Sequence, residues 1–185
     1  MLDKLVKQWG PLAVASLAVG ELALPVIVAA LAFEHIGGYA PCHLCLQERY
    51  AYYFAVPAAM IAFGLSFNWP GLARVLLGVI ALAFAVNVVV SVYHVGVEFK
   101  WWEGPAACTG GAASVDWQEL AEQLRQTSVV RCDEPSLVIL GLSLAAWNGL
   151  ASFVLMGIAS WGVAQSGPGS EHRRRGRKGA EWPSR

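Results

Sequence analysis

Hydrophobic and polar positions alternate along this chain in long blocks rather than at short helical or strand periods. Four apolar blocks reach the roughly 20 residues that a helix needs to cross a bilayer. They run over about 11–33, 46–67, 72–94 and 136–163. A spanning segment must satisfy its own backbone polar groups, so each block predicts a helix. The expected fold is an all-α membrane protein, a four-transmembrane-helix bundle over residues 1–164. The first block is too long for a cleavable leader and lacks a small-residue cleavage site, so it is expected to remain as a span. The stretch Ser66–Gly71, SFNWPG, predicts a tight turn that makes an antiparallel hairpin of the second and third spans.

Between the spans lie two outer connections, 34–45 and the long 95–135. Within the long one, SVDWQELAEQLRQ places Trp117, Leu120 and Leu124 on one side of a short amphipathic helix. That helix could rest on the membrane surface or pack on the bundle. Residues 165–185 are rich in Gly, Ser, Pro and Arg, and a basic, disordered tail is expected there.

Composition agrees with a bilayer setting. Hydrophobic residues make up 56% of the 185 positions and charged residues 14%, against about 25% charge in soluble domains. The 13 basic and 13 acidic residues cancel, but the basic ones are unevenly placed. Lys4, Lys7, Arg74 and the tail arginines would share one side, leaving Arg49, Lys100, Arg125 and Arg131 on the other. The positive-inside rule then predicts cytoplasmic termini. The only dense basic run is in the tail, which argues against a nucleic-acid partner.

That orientation puts all four cysteines on the outer, oxidising side. Cys42 and Cys45 form a CxxC at the head of the second span, and Cys108 and Cys132 lie in the long loop. Structural bridges are one reading, compatible with a stapled scaffold that is not an enzyme. A bridge enclosing two residues removes little chain entropy, however. A CxxC is more often a redox couple or half of a metal site. Zinc usually draws on two closely spaced ligand pairs, and the second pair here is widely split, so no metal is expected. In PCHLCLQERY, Pro41 suits the first position of a helix. Cys42, Cys45 and Arg49 then share a helical face, with the guanidinium near the Cys45 sulfur. Glu21, in mid-span, is expected to be either protonated or paired with a polar group such as Asn87 or Asn148, and its role is left open.

Four spans, PCHLCLQERY opening the second, and a second outer cysteine pair flanked by YHVGVEFKWWEGPAACTG and RCDEP resemble the disulfide bond formation protein B (DsbB) family. The resemblance covers nearly the whole chain outside the tail. It implies an inner-membrane, quinone-dependent protein-disulfide oxidoreductase that re-oxidises a periplasmic DsbA-type thiol oxidase. In the relay it implies, the partner attacks a Cys108–Cys132 disulfide at Cys108. Cys132 then attacks Cys42, and Cys45 is released toward ubiquinone or menaquinone from the membrane pool. Arg49 and His94 match the family's residues near the quinone. A reductant-exporting carrier would instead need cysteines reaching the cytoplasmic side, and none is expected there.

Overall fold

The computed structural model describes residues 2–105, 131–135 and 137–167. Cys108, the expected amphipathic helix and the basic tail lie outside the described residues. Among the described residues, four helices are long and apolar enough to cross a membrane. They are α2 (Pro11–His35), α3 (His43–Asn68), α4 (Pro70–Glu98) and α5 (Leu144–Gln165), preceded by a short α1 (Leu2–Trp9). The protein is a multi-pass membrane protein built as a four-helix bundle.

The connections follow from local chemistry. Trp69 alone separates α3 from α4. Its N–H donates to the Leu65 carbonyl at 2.7 Å, and its own carbonyl accepts from Leu72 and Ala73. Pro70 starts α4, where a missing N–H costs nothing. The fourth span begins at Leu144, not at about 136 as the apolar run suggests. Residues 138–143 instead form a two-stranded hairpin, β1 (Val138–Ile139) with β2 (Leu142–Ser143), pairing Val138 with Ser143. Leu140 and Gly141 both take positive φ, at 53° and 81°, as a two-residue hairpin turn requires. Ser143 then caps α5, its hydroxyl accepting from the Ala146 N–H at 3.2 Å. An apolar run cannot reveal a start that turn geometry and a cap decide.

Helix α4 shows how the bundle is sorted. Ala73, Leu77, Ile80, Phe84, Asn87, Ser91 and His94 are buried. Val75, Val79, Leu82, Val86 and Val89 on the other side are exposed. Both stripes repeat every three or four residues, so each is one helix face. The outward face is aliphatic because its solvent is lipid. The inward face changes from apolar to polar on approaching the CxxC end.

Small residues set the helix spacing. A Cβ added at Gly162 would fall 2.4 Å from the Ala15 Cβ and 2.8 Å from Leu77 Cδ2. Helices α2, α4 and α5 meet there at a distance only glycine allows. Midway along the bundle the polar atoms pair across helices. Asn87 Nδ2 donates to Ser152 Oγ at 2.9 Å, Tyr52 Oη meets the same oxygen at 3.1 Å, and Asn148 Nδ2 donates to Ser91 Oγ at 2.8 Å. Asn87 and Asn148 are therefore engaged with serines. Glu21 is exposed on the outer face of α2 and is not their partner.

Candidate functional site: a thiol pair between a base and a cavity

The site forms where the head of α3 meets the tail of α4. Helix α3 starts at His43, two residues later than expected from Pro41, with Cys42 as its N-cap. The Cys42 sulfur accepts from the Cys45 N–H at 3.3 Å. Both cysteines are free thiols, with sulfurs 2.7 Å apart. Cys42 is buried and Cys45 is half-buried. The hydrogen bond from Cys45 pushes the Cys42 thiol down to about 4, against burial and with further help from His94. Cys42 thus also accepts from the backbone at the start of α3, whereas the sequence drew attention to Cys45 beside Arg49.

Arg49 is turned elsewhere. It forms an ion pair with Glu34 at the end of α2, and its Nη2 donates to the Ala30 carbonyl at 3.4 Å. Arg49 and Cys45 nevertheless line one cavity of about 370 Å³ between α2, α3 and α5. Its walls are mostly apolar, from Ile27, Phe33, Pro41, Leu144 and Trp147, with Glu48, Tyr52 and Asn148 as the other polar groups. That volume lies within the usual range for small-molecule sites.

His94 is not among the cavity's lining residues. It is buried on the other side of the thiol pair. Its Nε2 lies 3.5 Å from Cys42 Sγ, and its Nδ1 lies 3.2 Å from Glu48 Oε1. Glu48 is itself only 5% exposed. Sequence reasoning passed over Glu48 and Glu34. Glu48 stands three residues after Cys45, so helical spacing could have found it. Glu34 ends an apolar span as its only acidic neighbour to the CxxC loop, a weaker signal.

Cys132 is brought to the same place. It is 1% exposed and packs in one cluster with Cys42, Leu44 and Val97, against Cys45. It is disulfide-bonded, and its bonding partner lies outside the described residues. The flanking residues shape the loop around it. Arg131 grips Asp133 with two hydrogen bonds, 2.9 and 2.7 Å long. The guanidinium holds the Asp133 carboxyl below its usual range. Such an exposed pair adds little stability, but it closes a tight loop with Cys132 at its centre.

The ligand atoms of Cys42, Cys45 and His94 lie within 4.8 Å of one another, a spacing one soft cation could bridge. A structural zinc site needs four ligands. The nearby fourth cysteine, Cys132, is in a disulfide and has no thiolate to offer. The donor set fits thiol exchange better.

A bundle that buries a thiol pair at one end, against a disulfide on one side and a cavity on the other, defines a membrane thiol–disulfide protein. The profile of the family described as Disulfide bond formation protein DsbB matches residues 12–162, and the chain belongs to that family. It is thus a membrane protein of disulfide bond formation, an oxidoreductase. It is also similar to the Uncharacterized protein RP370 of Rickettsia prowazekii, at 25% identity over 126 residues, 66% of this chain and 71% of that one. No solved structure matches it.

Proposed function

We propose that this protein re-oxidises a periplasmic DsbA-type thiol oxidase and passes the electrons to membrane quinone. The observation that carries the reading is the position of Cys45. It lines the cavity together with Arg49, while its partner Cys42 packs against disulfide-bonded Cys132. Electrons entering at the loop disulfide thus have a short path to the cavity wall.

Each exchange conserves electrons. The partner's thiolate attacks Cys108, the Cys108–Cys132 bond breaks, and the electron pair leaves on Cys132. Cys132 attacks Cys42 of a Cys42–Cys45 disulfide, and the pair leaves on Cys45. Attack needs a thiolate and an accessible sulfur, and the shared cluster supplies the approach. A quinone in the cavity would supply the two-electron, two-proton acceptor. Apolar side chains of α2 and α5 would hold its ring, and the Arg49 guanidinium would face its developing negative charge. The basic residues favour cytoplasmic termini and a periplasmic cysteine end in a bacterial inner membrane.

The test is quinone reduction by purified protein in detergent with a reduced DsbA-type donor. Wild-type turnover is expected, with Cys45→Ser at background. Arg49→Ala should lower kcat/KM for quinone by about ten- to a hundredfold. Turnover that survives Cys45→Ser would exclude this path. No turnover from folded protein with any quinone would leave a scaffold stapled by disulfides.

A further inference from the structure

Three buried side chains form a chain that links Cys42 to two residues the electron path does not use. Glu48 Oε1 meets His94 Nδ1 at 3.2 Å, and His94 Nε2 meets Cys42 Sγ at 3.5 Å. Glu48, His94 and Cys42 are 5%, 2% and 2% exposed. The imidazole thus has a carboxylate on one nitrogen and a sulfur on the other. A carboxylate at Nδ1 fixes the tautomer and orientation of the ring. The same logic activates a nucleophile through a base held by a third group.

We propose that His94 serves Cys42 as its acid–base partner rather than serving the quinone, and that Glu48 positions His94 for that task. The inference rests on the relay proposed above and assigns these residues to one of its steps. After Cys132 has attacked, Cys42 is held in a Cys132–Cys42 disulfide. The partner's second cysteine attacks the partner sulfur bonded to Cys108, the partner's disulfide closes, and the electron pair leaves on Cys108. The Cys108 thiolate then attacks Cys132, a Cys108–Cys132 bond forms, and the Cys132–Cys42 bond breaks. Its electron pair leaves on Cys42 Sγ, next to the His94 imidazolium. No net oxidation occurs in this step, and no proton need come from water. Cys42 is left as a thiolate beside Cys45, ready to close the CxxC bond again.

Burial makes the arrangement effective. An anion leaving into a dry pocket needs a fixed counter-charge, because water cannot supply one. Other groups also face the trio. Cys45 lies on α3, while Ser91 and Glu98 on α4 interact with Glu48 and with His94 respectively. All three stay unaltered in the comparisons below, except that Ser replaces Cys45 in the titrated protein.

The experiment follows the thiolate absorbance near 240 nm in full-length protein carrying Cys45→Ser, Cys108→Ser and Cys132→Ser, so that Cys42 is the one thiol. The titration midpoint should rise by about two pH units in His94→Asn and by about one in Glu48→Gln. Glu48→Gln keeps the shape and an acceptor oxygen, so its helical content and denaturation midpoint should match the parent. In the four-cysteine protein, the same two substitutions should slow release of Cys42 at least about tenfold, and His94→Asn, whose site is not in the cavity lining, should leave KM for quinone within about twofold. An unchanged midpoint in both variants overturns the proposal. A midpoint moved by His94→Asn but not by Glu48→Gln removes Glu48 from the role. A raised quinone KM with an unmoved midpoint returns His94 to the cavity. The titration needs neither quinone nor donor. A shifted midpoint without turnover would therefore sink the oxidase reading and leave the Cys42–His94–Glu48 assignment standing.

Discussion

The inward stripe of α4 has two halves that behave differently. Ala73, Leu77, Ile80 and Phe84 are buried in an apolar core, where Leu77 lies against Gly162 and Phe84 meets Tyr52 edge-on. Asn87, Ser91 and His94 continue the same face toward the thiol pair, and every one has a hydrogen-bond partner. The first half is held by close contact, since lipid leaves little hydrophobic force between helices. The second half buries polar groups where water cannot satisfy them, a cost that a purely structural bundle would avoid. The difference teaches that the fold's chemistry is concentrated at one end, and that the other end can change without touching it.

The sharpest contrast concerns pH. A thiol held down at about 4 keeps its charge as pH falls, and regains its proton only near that value. In fully reduced protein, the rate at which Cys42 reacts with a small thiosulfonate should change less than about twofold from pH 6 to 8. An ordinary thiol gains close to a hundredfold over the same interval, about tenfold per pH unit. Cys42 is buried, so its rate is low throughout, and the slope is the quantity to read by mass spectrometry of the labelled peptide. A hundredfold slope would erase the distinction between the two ends.

At the opposite end, Gly162→Leu should lower the denaturation free energy in detergent by about 1–3 kcal/mol. The added side chain would have to enter space taken by Ala15 and Leu77. The 240 nm titration of Cys42 should not move. A shifted titration would mean that the two ends are mechanically coupled.

The smallest effect is expected at Glu34. This residue is 28% exposed and Arg49 is 12% exposed, and partly exposed pairs are screened. Glu34→Gln should loosen Arg49 and raise KM for quinone by about two- to fivefold, well short of the Arg49→Ala effect. An effect as large as that of Arg49→Ala would make Glu34 a direct contributor to the cavity's chemistry.

Much of this was legible in the sequence. Membrane-length apolar blocks imply helices because an unpaired backbone group has no partner in lipid. The Trp69–Pro70 turn carried its own signal, since proline starts helices readily. The CxxC and the family resemblance also marked Cys42, Cys45, Arg49 and His94. The site's wiring was less visible. Helical spacing puts Cys45 and Arg49 near each other, but it says nothing of Glu34, which claims the guanidinium from another helix. His94 is far from Glu48 in the chain, and only the antiparallel packing of α3 on α4 makes them neighbours. The start of α5 was misplaced because residues 138–142 are as apolar as the helix that follows them.

Sequence alone therefore determined that the chain crosses a membrane with four helices and that a CxxC stands at the head of the second. Hydropathy and spacing are local properties, and they act before any two helices meet. Tertiary structure alone decided that Glu34, from another helix, pairs with the Arg49 guanidinium. It also decided that His94 faces Cys42 and that Cys45 and Arg49 share a cavity. Those outcomes depend on which helix faces lie together, and in a low-dielectric interior the nearest partner of a buried charge sets its chemistry.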